Sequence, residues 1–422
     1  MERKKVTYQN YFKLILVSAV ISLCCLILIF VAKHLTEQTE HLLFQSIYSN
    51  YNFLFIILPT IGITSIYFLR KYFFKGRKNK GITEIYKTLD QRKEHLPAFK
   101  IPSHLINGFL TVISGGSTGI EVSSVVATAT AGNLVHRQHF SAYAYKRELI
   151  CAGATAAVAI LFVSPLAGFL FAIEVISRKV RKTIIISCAT SAVVAWIFIS
   201  LFENATLLPF PVQKWNWHAL PSFIVLSLIG SLLSVYFTLL VTRIKKISGN
   251  ISNNFVRVNL CAISVGLLIF LFPTLYGDSY HGLKEAISSP VVSSLTLALL
   301  FFLKPLTAAL TLGAGGDGGV FAPSIVAGAI LGLFFANFCN GQFDMNLIPL
   351  NFALVGAASM LSASIYAPLT ALILVCNLTP NGYQLFFPLL IGSISARYFA
   401  QLILPYNVYT YDFYLQRTEK GK

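Results

Sequence analysis

Gly115-Gly116-Ser117-Thr118-Gly119-Ile120-Glu121-Val122-Ser123-Ser124 returns later in the chain as Gly315-Gly316-Asp317-Gly318-Gly319-Val320-Phe321-Ala322-Pro323-Ser324. Three glycines, the aliphatic residue before Glu121 or Phe321, and the closing serine keep a constant offset of 200 residues. Each copy follows an apolar segment and opens another, so each reads as an elbow that delivers the free N–H groups of a helix N-terminus into a membrane. Such an end carries about half a positive elementary charge and binds anions. Broken helices at matching places in two halves of a chain point to a transport site. A second pair of anchors, Ser164-Pro165-Leu166-Ala167-Gly168 and Ala367-Pro368-Leu369-Thr370-Ala371, recurs at nearly the same offset, 203 residues, and in the same order. An internal repeat follows, with a first half at about 11–205 and a second at about 215–404.

Composition agrees. Hydrophobic residues make up 55% of the 422 and charged residues 12%, with a mean hydropathy of +0.70. These values exclude a soluble domain and predict an all-α, multi-pass membrane protein with one transport domain over 1–422. The apolar run from about Leu14 to Ala32 is too long for a signal-peptide core and lacks a cleavage site, so it reads as a first span with the chain start in the cytoplasm. A formal charge of +17 raises nucleic acid as a partner. The basic residues, however, cluster in short loops (Arg3 to Lys5, Lys71 to Lys80, Arg178 to Lys182, Arg243 to Lys246) and in the tail 405–422, which is a membrane-topology signal. Seven scattered cysteines without CxxC spacing read as apolar packing residues, and the eight histidines show no ligand spacing. No metal or cofactor site is expected. Neither a P-loop, HExxH, dinucleotide fingerprint nor Ser/His/Asp pattern is present, so an enzyme is not expected.

In chain order, spans are expected at about Tyr11 to Lys33, Tyr51 to Phe74, Ile101 to Ile113, Val122 to Leu134 and Cys151 to Val163. A helix starting at Pro165 carries Glu174. After the Trp-bearing break Pro209 to His218 come Phe223 to Val241, Val258 to Phe272, the loop Tyr276 to Lys284, and Leu295 to Leu312. Ser324 to Phe338, Asn351 to Leu361, Pro368 to Asn377 and Phe386 to Leu404 complete the chain. Several fall short of the ~20 residues that cross a bilayer, which implies half-crossing segments enclosed by protein. Thr83 and Glu84 suit the cap of a short helix. Lys304, in an apolar segment, either snorkels or pairs internally.

These residues, Gly119-Ile120-Glu121, Pro165 to Glu174, Gly319-Val320-Phe321-Ala322-Pro323 and Val408-Tyr409, occur in the order found in the chloride channel and proton/chloride antiporter (CLC) family. The chain resembles that family over about Tyr11 to Tyr411. The resemblance implies two inverted repeats of tilted, broken helices, a homodimer with one anion path per subunit, and chloride as the transported ion. It makes Glu121 the gate and assigns anion binding to Gly81, Ile82, Gly119, Ile120, Gly319, Val320, Phe321, Ala322 and Tyr409. A bacterial-style minimal form without cytoplasmic regulatory domains, in the plasma membrane, is expected.

Three positions depart from the family pattern. Asn79-Lys80-Gly81-Ile82-Thr83 stands where Gly-Ser-Gly-Ile-Pro is usual, which puts Lys80 in place of an anion-coordinating serine. Ser123 replaces a proline after the gate. Val175 occupies the place of the proton-handling glutamate of many antiporters, and this favours a passive channel. The alternatives are a proton-coupled antiporter for chloride, fluoride or nitrate, and a non-conducting scaffold or sensor. Glu121 as gate competes with Glu121 as an ordinary first-turn carboxylate, and an ionisable group between apolar spans favours the gate. Lys80 is either a solvated lysine or a cation at the mouth of the anion path. Glu174 is expected to bond within the protein rather than to carry protons.

Overall fold

The computed structural model describes residues 2–50, 52–77, 79–91, 93–139, 145–203, 206–251, 253–288 and 293–420. Lys78 of the basic turn, the chain start Met1 and the last two tail residues, 421–422, lie outside the described residues.

Seventeen α-helices and no strand occur among the described residues. The first half comprises α1 (Glu2–Asn50), α2 (Leu54–Tyr72), α3 (Ile82–Asp90), α4 (Lys100–Ile113), α5 (Glu121–His139), α6 (Lys146–Leu161), α7 (Pro165–Phe171) and α8 (Lys182–Phe202). The second holds α9 (Leu220–Asn250), α10 (Asn254–Leu271), α11 (Tyr280–Ser288), α12 (Ser294–Ala314), α13 (Phe321–Phe343), α14 (Pro349–Ile365), α15 (Pro368–Cys376), α16 (Phe386–Ile403) and α17 (Tyr411–Lys420). Among the described residues, eight helical stretches are long and apolar enough to cross a membrane. Others, such as α6 and α14, are short and almost wholly buried, the half-crossing kind that only a protein surround tolerates.

The two halves repeat each other in detail. The bond from Gly116 N–H to the Thr111 carbonyl (2.8 Å) recurs as Gly316 to Thr311 (3.0 Å). The glycines that end α4 and α12, Gly115 (φ 86°) and Gly315 (φ 101°), both lie in the left-handed region that glycine enters without a Cβ clash. The elbows then cap one another across the pseudo-twofold axis. The Thr111 hydroxyl accepts the Asp317 N–H at 3.0 Å, and the Thr311 hydroxyl accepts the Ser117 N–H at 3.1 Å. Behind each elbow, α5 crosses α6 and α13 crosses α14 at the equivalent glycines Gly132 and Gly332. A Cβ there would collide with the Leu149 and Phe352 carbonyls, so small residues set the close approach of the helix pairs.

Most expected segments are found, but the boundaries move. Helix α1 runs 49 residues, because the polar Thr36 to Ser46 stretch continues the helix beyond the apolar run. The apolar helix α8 was not anticipated as a span, and half of the loop Tyr276 to Lys284 is the start of α11. The expected cap of α3 is corrected for Thr83, while Glu84 does bond a backbone N–H at the helix start. Gly81, at φ 62°, takes the cap position without a side-chain bond, Glu84 Oε1 accepts the Lys80 N–H (2.5 Å), and the Thr83 hydroxyl turns to the Tyr409 carbonyl (3.5 Å). All seven cysteines are unpaired, and six are buried. Lys304 is fully buried and pairs internally, donating to Ser117 Oγ (2.8 Å), the Gly277 carbonyl (3.0 Å) and Ser279 Oγ (2.6 Å).

Candidate functional site

Helices α5 and α13 begin at Glu121 and Phe321 themselves, so the unwound elbows aim both N-termini inward. Glu121 is buried, and its carboxylate curls back over Gly119, leaving no room for a side chain there. It lies near its own N–H and that of Ala322, while Oε2 has no hydrogen-bond partner among the described residues. The acidic side chain thus rests between the starts of two helices, where partial positive charge favours an anion. Glu121 and the Phe321 elbow, 200 residues apart in sequence, meet.

Cavities lie on both sides of this point. On one side, a narrow space of about 40 Å³ touches Gly119, Ile120 and Glu121. It shares Lys33, Glu37, Glu40, Leu207, Asp278 and Tyr280 with a larger vestibule of about 450 Å³. On the other side, a space of about 140 Å³ is bounded by Lys80, Gly81, Ile82, Val122, Gly319, Val320 and Tyr409. It shares Arg70, Asn79, Lys80 and Lys245 with a second vestibule of about 560 Å³.

Most anion-site residues expected from the sequence gather around this inner space. Gly81 and Ile82 present the start of α3, and Gly319 and Val320 present the start of α13. The Tyr409 hydroxyl faces the backbone of Val320 and has no hydrogen-bond partner among the described residues. Gly119 and Ile120 lie on the opposite side of Glu121, against the narrow space. Phe321 is fully buried and stacks among Phe162 and Phe171, with ring centroids 6.0 and 5.5 Å away. The phenyl ring therefore packs among aromatic side chains, while the Ala322 N–H faces the Glu121 carboxylate.

Sequence reading missed two groups. The larger vestibule beyond Lys80 is strongly basic, lined by Arg70, Lys71, Lys80, Lys245 and Arg257 against Asp412. Lys71, Lys80 and Lys245 belong to the basic clusters visible in the sequence, but these cations come from α2, α9, α10 and the turn before α3, and only the fold shows that Arg70 and Arg257 join them around one space. The second group is centred on Asp317, whose carboxylate accepts from Asn79 Nδ2 (2.6 Å) and Ser123 Oγ (3.2 Å) and pairs with His104 Nδ1 (3.0 Å). Arg70 lies 4.0 Å away. Ser123, where a proline was expected, thus has a partner supplied by the other elbow.

Glu174 lies on a π-helical turn, Ala172–Ser177. It accepts the N–H groups of Leu369 (3.2 Å) and Thr370 (2.7 Å) and the Thr370 hydroxyl (2.6 Å). It caps α15, as the internal-bond reading expected, and neighbouring Val175 is buried in apolar surroundings.

Residues 61–401 match a family model described as voltage gated chloride channel. A relative from Vibrio cholerae, named H(+)/Cl(-) exchange transporter ClcA, is 29% identical over 371 residues, covering 84% of this chain and 78% of that protein. A Yersinia pestis protein of the same name is 27% identical over 349 residues, covering 80% and 72%. Among solved structures, a slow cyanobacterial Cl-/H+ antiporter superposes with a TM-score of 0.82 at 21% identity, covering 97% of this chain and 99% of that one. A CLC-type fluoride/proton antiporter gives 0.79 at 22% identity, covering 95% and 98%.

Proposed function

The chain belongs to the voltage gated chloride channel family, and from that premise we propose that it exchanges chloride for protons, with Glu121 both closing the anion path and carrying the proton. The observation that carries this reading is the position of the Glu121 carboxylate, over the N-termini of α5 and α13 and between the two systems of cavities. An anion arriving from the basic vestibule meets oriented N–H groups at Gly81–Ile82 and Gly319–Val320 and the Tyr409 hydroxyl, which replace its hydration shell. It competes there with a carboxylate held by the same field. Protonation removes the charge that holds Glu121 in place, so proton binding and anion entry are linked.

The curated relatives support exchange rather than the passive channel to which Val175 pointed. Residue 175 offers no proton-binding group here, so a proton coming from the basic vestibule reaches Glu121 through water or other polar groups. The second reading is a passive channel, and Val175 is the observation that favours it. Lys80, with Arg70 and Lys245, concentrates anions at the mouth, and the basic vestibule faces the cytoplasm together with the chain start, in keeping with the charge asymmetry. We further place the protein in a bacterial plasma membrane as a homodimer. The face of α7, α8, α15 and α16, with exposed Leu166, Trp196, Leu369 and Phe387, is the apolar surface available to a second copy.

Reconstitution into chloride-loaded vesicles tests the proposal. An imposed chloride gradient that drives protons uphill supports exchange. Chloride efflux that needs an ionophore and moves no protons indicates a channel, and no flux at all leaves a scaffold. The same vesicles loaded with fluoride or nitrate report selectivity.

A further inference from the structure

The vestibule on the far side of Glu121 from the basic mouth has a different character. Glu37, Glu40, Glu203 and Asp278 line it with Lys33, Lys284, His41 and His281. Lys33 is occupied, 3.4 Å from Glu203. Deeper in, three groups converge: a Glu40 carboxylate oxygen from α1, one from Asp278 before α11, and a ring nitrogen of His281 in the first turn of α11, all within 4.8 Å of one another. Asp278 and His281 stand three residues apart, the spacing that puts two side chains on one face of a helix start.

Two further observations point to a ligand. Neither Glu40 nor Asp278 has a cation within salt-bridge distance among the described residues. The nearby Lys304 spends its three hydrogen bonds on Ser117, Gly277 and Ser279. Each carboxylate accepts one backbone N–H, Glu40 from Asp278 (3.3 Å) and Asp278 from Tyr280 (2.9 Å), which leaves lone pairs on both. Two carboxylates this close repel one another unless a cation or a proton lies between them. Meanwhile His281 Nε2 is shut from solvent without a hydrogen-bond partner among the described residues, and its ring is held against Phe44 (centroids 4.4 Å apart).

We propose that Glu40, Asp278 and His281 form a binding site for a divalent transition metal of the zinc class in this vestibule. One nitrogen and two carboxylate oxygens are a donor set for such an ion, and the open side toward the cavity leaves room for water as a fourth ligand. Tetrahedral donors at ~2.0 Å from zinc lie about 3.3 Å apart, so the three side chains close by small rotations from their present spacing. Because Glu40 and Asp278 also border the narrow space that touches Glu121, a bound ion closes the path at that end and slows transport. Only this last consequence rests on the exchanger reading; binding itself does not.

The test is titration of the purified full-length protein with Zn²⁺ by calorimetry, and with Co²⁺ by its visible absorption, in neutral buffer without chelators. One site per chain is expected, weakened at least tenfold in His281→Gln and in Asp278→Asn. Asp278→Asn keeps the side-chain oxygen that receives the Tyr280 N–H, so α11 stays capped. In vesicles, Zn²⁺ on the side of this vestibule slows chloride flux by the wild type and not by either variant. Wild-type binding no tighter than that of His281→Gln, or equal competition by Ca²⁺, which has little use for imidazole, overturns the assignment whether or not the protein transports chloride.

Discussion

Gly119→Ala is the sharpest perturbation of the proposed gate, because it acts on the carboxylate without touching it chemically. An added Cβ would stand 2.3 Å from both Glu121 carboxylate oxygens, where real Cβ atoms keep at least 3.0 Å and ordinarily 3.4 Å or more. The carboxylate must therefore retreat by 0.7 to 1.1 Å. Residue 119 does not have a left-handed φ, so alanine brings no backbone strain, and the obstacle is the free end of a side chain. Keeping the present position costs roughly 0.5–1.5 kcal/mol in off-rotamer strain. Leaving it forfeits about 0.3–1 kcal/mol of attraction to the helix N-terminus. A loss of ~1.4 kcal/mol multiplies the displaced population about tenfold. Gly119→Ala should thus pass chloride roughly tenfold faster than the wild type in vesicles, and move fewer protons per chloride. Because the effect works through Glu121, it should vanish in a Glu121→Ala background. A variant with unchanged flux, unchanged coupling and wild-type thermal stability would show that the carboxylate does not rest over Gly119 in the working protein.

The remaining expectations concern the gate, the mouth and the buried charges. Glu121→Gln should abolish proton movement and make chloride flux insensitive to pH on either side, read by a pH electrode and a chloride electrode together; retained uphill proton transport excludes Glu121 from the role. Lys80→Glu should cut chloride flux by roughly tenfold at low salt and less at physiological ionic strength, whereas unchanged flux would mark Lys80 as an ordinary solvated lysine. Glu174→Gln should lower stability by about 1 kcal/mol, the worth of a helix cap, and leave exchange stoichiometry intact; altered stoichiometry would make Glu174 a proton carrier. Lys304→Met should cost about 1–3 kcal/mol, because it strips the Gly277 carbonyl and two buried hydroxyls of their shared donor, and a melting temperature within a degree of wild type would contradict that.

Much of this architecture is already written along the chain. The 200-residue offset between the elbows identified the repeat, because a twofold-related pair of broken helices needs the same glycine geometry at Gly115 and Gly315 and the same start at Glu121 and Phe321. Local rules sufficed for that, as they did for the helix start at Pro165 and for the unpaired cysteines. Tertiary structure alone decided which distant groups share a space. The ring of Arg70, Lys245 and Arg257 around Lys80, the partnership of Ser123 with Asp317, and the meeting of Glu40 with His281 each join residues from separate helices. Hydrophobic periodicity and turn chemistry act over a few residues and fix where a helix begins and which face it buries. The position of a side chain relative to one 100 or 200 residues away depends on how the helices cross, and that is set by packing at points such as Gly132 and Gly332.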